Sequence, residues 1–339
     1  MNKSIIIAEA GVNHNGDIET AKRLIDVAAD AGVDYVKFQT FKANKIVTKQ
    51  AKRANYQNKN TKDLDTQYEM LKKLELNEDS HHVLIKYCNH KGIKFLSTGF
   101  DLDSLEFLHK IGIRLAKIPS GEITNLPYLR KISELFPEVI LSTGMSNIEE
   151  VREAVEVLLK NGLNKENLTL LHCNSDYPTQ MEDVNLNAML HLKREFGVKV
   201  GYSDHTLGIE VPIAAVALGA KLIEKHFTLD RNLPGPDHRA SLEPIELKNM
   251  VSTIRNIEKA ISGNGIKKPT LSEKKNIYIV RKSIHLSREL KTGHIITDKD
   301  IIALRPGDGI CAMNWDDVIG KKVRRDLKEY TKLTLNDLF

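Results

Sequence analysis

Residues 5–40 read I-I-I-A-E-A-G-V-N-H-N-G-D-I-E-T-A-K-R-L-I-D-V-A-A-D-A-G-V-D-Y-V-K-F-Q-T, and this stretch decides the fold. Residues 5–8 are a short β-rich run. Asn13-His14-Asn15-Gly16 has turn chemistry, and Asp17 stands where a helix N-cap would. Ala21, Leu24, Ile25 and Ala28 then recur at spacings of three and four, the apolar stripe of a helix. Tyr35-Val36-Lys37-Phe38 returns to a β-rich run. Strand, helix and strand in that order make a crossover between parallel strands.

The same alternation continues outward. β-rich runs fall at 94–97, 115–118, 139–142, 168–171, 198–201 and 220–223. Helical patterns follow them at 102–111, 127–135, 148–160, 186–196, 210–218 and 244–260, with further ones at about 68–74 and 80–90. Eight strand candidates, each followed by helical sequence, predict an α/β fold of the (β/α)8 TIM-barrel type rather than an open doubly wound sheet. No G-x-G-x-x-G follows the first strand, which removes the main sign of a dinucleotide fold. The polar stretch 42–66 is too long for a routine connection and reads as functional or mobile. The barrel domain is assigned to 1–264 and a linker to 265–281. A small β-rich domain is assigned to 282–339, with β-like pieces at 283–286 and 294–296 and one helical turn at 298–301.

The 339 residues are 41% apolar and 28% charged, an ordinary globular balance that excludes a disordered chain. Fifty Lys+Arg against 45 Asp+Glu leave a net charge of +5. This is too small and too well mixed for nucleic acid, but suits an anionic small molecule. No apolar run reaches the roughly 18 residues of a membrane span, and no signal-peptide layout precedes residue 5, so a cytoplasmic protein without a membrane partner is expected. The three cysteines, Cys88, Cys173 and Cys311, are odd in number and far apart, which argues against a disulfide framework or a thiolate zinc site.

Chemistry in such a barrel sits at the C-terminal ends of the strands. Every candidate strand ends in polar or ionisable residues: Glu9, Lys37 and Gln39, Thr98, Lys117 with Ser120 and Glu122, Ser142, Ser175, Ser203 with His205, and His226 with Asp237. Lys37 lies between Val36 and Phe38, and Lys117 between Ala116 and Ile118. Period-2 alternation turns both lysines into the barrel mouth. A buried lysine needs an anion. With the converging hydroxyls, the pair favours a phosphate site; structural ion pairing with Glu9 or Glu122 and a Schiff-base lysine remain open alternatives. His205 and His226 end adjacent strands and suit a Mn²⁺, Mg²⁺ or Zn²⁺ ion with open positions, although a single histidine is more often a satisfied polar residue. Glu9, Glu122 and Asp237 are either catalytic acids or charge balance for the lysines.

The blocks A-E-A-G-V-N-H-N-G (8–16), V-K-F-Q-T (36–40), K-I-P-S-G-E (117–122), L-S-T-G-M (141–145), L-H-C-N-S-D-Y-P-T (171–179), G-Y-S-D-H-T (201–206), E-K-H-F-T (224–228), G-P-D-H (235–238) and R-P-G-D-G (305–309) resemble, in order, those of the sialic acid synthases. The resemblance implies a (β/α)8 barrel with a C-terminal antifreeze-like SAF domain. It implies condensation of phosphoenolpyruvate with an acylamino sugar. Lys37, Thr98, Lys117, Ser120, Ser142, Ser175 and Ser203 would hold phosphoenolpyruvate, and His205 and His226 a divalent metal, Mn²⁺ or Mg²⁺. Glu9, Gln39, Tyr177 and Asp237 would surround the open-chain sugar, with Glu9 and Asp237 also counted as catalytic, and Glu122 would be the acid/base acting on water. Arg305 of the partner subunit would reach the sugar's N-acyl group, which implies a domain-swapped homodimer. The chain departs from some members at Gly99, at Pro119, over 42–66 and near Tyr56-Gln57, where no sugar-binding asparagine is matched. N-acetylmannosamine, giving N-acetylneuraminate, is the first choice of sugar. A 2,4-diacetamido-2,4,6-trideoxy sugar, giving N,N'-diacetyllegionaminate, is the alternative. A Schiff-base pyruvate aldolase and a non-catalytic sugar-binding protein are more distant readings.

Overall fold

The computed structural model describes residues 3–53 and 66–339. Residues 54–65 of the 42–66 stretch, with Tyr56 and Gln57, lie outside the described residues. The chain divides into a unit Met1–Ser262 and a unit Gly263–Phe339.

In the first unit the parallel strands are β1 (Ile5–Gly11), β2 (Tyr35–Thr40), β3 (Lys94–Gly99), β4 (Leu115–Ile118), β5 (Glu138–Ser142), β6 (Leu168–Cys173), β7 (Lys199–Asp204) and β8 (Leu222–His226). Their order is β3-β2-β1-β8-β7-β6-β5-β4, so β1 pairs with β8, and β3 and β4 at the two ends pack against each other. The sheet is therefore the closed barrel that the alternation predicts. The first helix, Ile18–Ala31, is capped by Asp17, whose side chain accepts from the Thr20 N–H. Helices cover the outer face of the strands, and the layer between them holds the largest apolar core, including Ile6, Leu24, Val36, Leu141 and Leu247.

Parity sets the inside of the barrel. Ile7, Leu96, Ile140, Leu171 and Leu222 form a separate interior plug, with Tyr35 and Leu115 against it. Each fully buried side chain of this size contributes about 1.5–3 kcal/mol. Gly201 fills the β7 position in that layer: a Cβ there would lie 2.1 Å from the Leu222 carbonyl oxygen. Two residues further along each strand, the same inward face carries Glu9, Lys37, Thr98, Lys117, Ser142, Cys173, Ser203 and Glu224. An apolar floor is thus capped, one pleat higher, by a polar ring. The pairing of Glu9 with both Lys37 and His226, and of Ser203 with Glu224, sets neighbours within that ring.

The second unit has an antiparallel pair, β9 (Ser283–Leu286) and β10 (Ile301–Leu304), joined through the 3₁₀ turn Asp298–Asp300. Its core includes Ile284, Leu286, Leu290, Ile301, Val323 and Leu333. Two expectations are corrected here. The 294–296 piece is not a strand; Ile295 makes only an isolated bridge to Lys322. The 265–281 segment, read as a linker, contains a helix, Leu271–Val280, closed by a capping box of Thr270 and Glu273. That helix buries none of its residues within the chain, so it has no apolar stripe for the sequence to reveal.

Candidate active site

The polar ring opens into a cavity of about 470 Å³ at the C-terminal end of the barrel. Its walls include Glu9, Lys37, Gln39, Thr98, Lys117, Ser120, Glu122, Ser142, Ser175, Tyr177, Ser203, His205, His226 and Asp237. All the site residues expected from the barrel sequence thus meet in one place. Arg305 belongs to the second unit, where its Nε donates to the Val280 carbonyl at 2.8 Å. A larger depression of about 1130 Å³ shares Met70, Leu74 and Pro236 with this cavity, and is lined otherwise by residues such as Asn15, Lys73, Leu207, Arg231 and Pro234. The clustered ionisable groups lie in the smaller cavity, which is where the chemistry belongs.

The floor of the cavity is a buried charge network. Lys37 Nζ is 2.7 Å from Glu9 Oε2 and 3.7 Å from Glu224 Oε2, and it donates to Thr98 Oγ1 at 3.0 Å. Lys117 Nζ donates to Glu224 Oε1 at 3.0 Å, and Ser203 Oγ donates to the same oxygen at 3.2 Å. Burial disfavours charge on both carboxylates. At Glu9 burial wins over Lys37 and the pKa is raised; at Glu224 the two lysines together win and it is lowered. Two lysines therefore face one firmly ionised carboxylate and one that is readily neutralised. The surplus positive charge suits a small anion.

Glu224 stands in the block E-K-H-F-T (224–228) with no expected role, and the ion-pair partner expected for the lysines was Glu9 or Glu122. Glu9 does pair with Lys37, but Glu224 is the carboxylate that bridges both lysines, and Glu122 is elsewhere. The signal was present: Leu222, Glu224 and His226 share the inward parity. Lys225 points the other way and is fully buried against Asp204, 2.5 Å from its Oδ2.

A hydroxyl cradle adjoins the lysines. Ser120 Oγ accepts from the Gly144 N–H at 2.9 Å and lies 3.2 Å from Cys173 Sγ. A Cβ on Gly144 would sit 2.4 Å from Ser175 Oγ and 2.8 Å from Ser120 Oγ, so only glycine lets these groups converge. Among the described residues Ser142 Oγ is buried with no protein partner, as a group awaiting a ligand oxygen would be. Glu122 is partly exposed at the rim, and its Oε2 accepts from Asn125 Nδ2 at 2.6 Å. Asn125, also the N-cap of the helix Leu126–Leu135, is a second residue that sequence reading missed.

The imidazoles stand together. The His205 and His226 ring centres are 5.5 Å apart, and the Tyr177 ring lies 4.0 Å from His205. His205 Nδ1 is 2.5 Å from the Asn174 carbonyl oxygen, which assigns the proton to Nδ1 and leaves Nε2 with its lone pair. His226 Nδ1 is buried without a hydrogen-bond partner, 4.0 Å from Asp237 Oδ2. Burial pushes His205 down to about 4, pushes His226 well below its ordinary value, and pushes Asp237 up to about 6. Neutral, buried imidazoles with an unsatisfied nitrogen fit a divalent cation. Among the described residues no group of three or more His, Cys, Asp and Glu is placed to hold a metal ion, so His205 and His226 offer two protein ligands.

Fold and site together define a (β/α)8-barrel enzyme whose mouth is built to hold an anion. The chain belongs to the NeuB family, whose model matches residues 24–267, and it carries a SAF domain at residues 281–338. It is 53% identical to the N,N'-diacetyllegionaminic acid synthase of Campylobacter jejuni, over 97% of this chain and 98% of the relative. It is 50% identical to the protein of the same name from Legionella pneumophila, over 97% and 92%. Among solved structures, the N-acetylneuraminic acid synthetase of Leptospira borgpetersenii, in complex with citrate, superposes with a TM-score of 0.71 at 37% identity, over 81% of this chain and 90% of that one.

Proposed function

We propose that the chain condenses phosphoenolpyruvate with 2,4-diacetamido-2,4,6-trideoxymannose, giving N,N'-diacetyllegionaminate and phosphate. The near-full-length identity of 53% to a synthase named for that product carries this reading. It reverses the order taken from sequence, which put N-acetylmannosamine first. The relatives favour the alternative sugar.

Lys37 and Lys117 hold the anionic groups of phosphoenolpyruvate, with Thr98, Ser120, Ser142, Ser175 and Ser203 donating to its oxygens. Tyr177, Gln39 and Asp237 line the space beside them, and the sugar lies there in open-chain form. His205 and His226 would hold a divalent cation, which when bound would supply Lewis-acid polarisation of the sugar aldehyde. C3 of phosphoenolpyruvate bonds to the aldehyde carbon, and the carbonyl oxygen gains a proton. Water adds at C2 as positive charge develops there, and Glu122, oriented by Asn125, takes its proton. The C2–O bond to phosphate then breaks and the proton of the C2 hydroxyl leaves with the phosphate, giving the 2-keto acid; the proton taken from water balances the one gained by the aldehyde oxygen, and the lysines offset the charge on the departing phosphate. The reading includes Arg305 of the partner subunit at the N-acyl group, within a domain-swapped homodimer, and a cytoplasmic location, all carried by the family resemblance and the sequence.

The test is phosphate release from phosphoenolpyruvate with Mn²⁺ and the diacetamido sugar. Release is expected to stop on chelation, to return with Mn²⁺, and to be absent in His205→Ala and in His226→Ala. Undiminished release after chelation, or in both variants, contradicts the imidazole site.

A further inference from the structure

One flank of the catalytic cavity has a character that the reaction chemistry leaves unexplained. The floor is charged, whereas this flank is apolar. Val12, Phe41, Met70 and Leu74 form a hydrophobic cluster of their own, with Ile46 and Leu71 packed against it. All six line the cavity. None belongs to the core between strands and helices or to the interior plug of the barrel. The cluster therefore does not hold the barrel together; it surfaces one side of the site.

The helix Gln67–Leu74 supplies much of this wall. Met70, Leu71 and Leu74 fall at spacings of one, three and four, which puts them on one helical face. The helix is fixed at its start by a capping box, with Thr66 accepting from the Glu69 N–H and Glu69 accepting from the Thr66 N–H. Met70 and Leu74 are buried, and Leu71 is partly exposed. The wall is thus formed before a ligand arrives, a condition for discrimination by shape and polarity.

The aldehyde end of the sugar must reach the lysines and imidazoles on the floor. The other end of the open chain then lies away from those groups, and the apolar residues lining the same cavity are available to receive it. The two candidate sugars differ there. N-acetylmannosamine carries hydroxyls at C4 and C6. The diacetamido trideoxy sugar carries a methyl at C6 and an acetamido methyl at C4. Pressing a hydroxyl against apolar side chains without a partner costs about 1–3 kcal/mol, while burying a methyl there is favourable.

We propose that Met70, Leu71, Leu74 and Ile46 form a subsite for the methyl-bearing far end of the sugar, and that this wall sets the preference for a 6-deoxy over a 6-hydroxy substrate. The inference rests on the proposed condensation and specifies which residues choose its sugar.

The experiment compares kcat/KM for the two sugars in the full-length Mn²⁺ enzyme and in three variants: Leu71→Asn, Met70→Gln and the apolar control Leu71→Met. The wild type is expected to prefer the diacetamido sugar. In Leu71→Asn and Met70→Gln the preference should fall about tenfold or more, the scale of one misplaced apolar group in a pocket. Leu71→Met should keep the preference, and the KM for phosphoenolpyruvate should stay within about twofold throughout, since Lys37 and Lys117 are held by Glu9, Thr98 and Glu224. Leu71 is partly exposed, so its asparagine variant keeps the test alive if Met70→Gln fails to fold. A wild type that prefers the diacetamido sugar, with an unmoved ratio in the folded polar variants, overturns this inference alone. A wild type that prefers N-acetylmannosamine, or releases no phosphate with either sugar, overturns the proposed function and the inference with it.

Discussion

On β8 the residues Glu224, Lys225 and His226 are adjacent in sequence, yet they do different work because alternate side chains face opposite sides of the sheet. Glu224 and His226 enter the barrel, and Lys225 is buried on the other face against Asp204. The inward lysines were legible from sequence because apolar neighbours flank each one, so parity alone turned them inward. Glu224 was not, because in a run of three polar residues the inward one is known only once Leu222 is placed in the plug. Asn125 was invisible for a different reason: its contact with Glu122 depends on the turn between them. The account makes a prediction at Glu224. Glu224→Gln leaves Lys37 and Lys117 without their shared carboxylate, and loss of one partner in a buried ion pair costs about 3–5 kcal/mol. Denaturant unfolding of the variant should show a loss of that order. Added phosphoenolpyruvate should restore more stability to the variant than to the wild type, because the anion replaces the missing charge. Equal stability of the two proteins would contradict the bridging role.

At the scale of elements, strands and helices with a buried face were readable and those without one were not. The helix Ile148–Lys160 was read with its own bounds because Val151, Ala154, Val155 and Leu158 mark its inner face. The helix Leu271–Val280 shows no such face within the chain and was taken for linker. In the second unit, the turn Asp298–Asp300 is held by its last residue. The Asp300 carboxylate is fully buried and accepts from Arg288, His294 and the Thr297 backbone and hydroxyl. Burial raises its pKa, but these bonds outweigh burial and hold it well below the usual carboxylate range. A folded pKa below the unfolded value of about 3.9 means that the group's stabilisation is complete above that value and is lost as pH falls through the folded pKa. The full-length protein should therefore lose the second unit's structure more steeply below about pH 4 than Asp300→Asn does. Thermal melts followed at pH 7, 4 and 3 check this; parallel pH profiles for the two proteins would contradict it.

For the whole molecule, eight repeats of one strand–helix unit made the barrel legible, since each unit was weak alone but all demanded the same parallel closure. Six members of the polar ring above the plug, all but Cys173 and Glu224, were legible for the same reason, as each lies two residues beyond an inward apolar position or glycine. The sugar was not legible, because the proposed apolar wall of the cavity belongs to no motif. That wall lies on Ala43–Ile46 and Gln67–Leu74, outside the repeated pattern. Motifs carry the shared chemistry, whereas side-chain polarity on one short helix carries the choice of substrate.

The most direct test of the account is a side-by-side reaction of the wild-type protein with phosphoenolpyruvate, Mn²⁺ and each sugar at equal concentration, following phosphate release and identifying the product by mass. The account predicts faster phosphate release with 2,4-diacetamido-2,4,6-trideoxymannose, matched mole for mole by N,N'-diacetyllegionaminate. Faster formation of N-acetylneuraminate, or phosphate release without a nine-carbon acid, would contradict it.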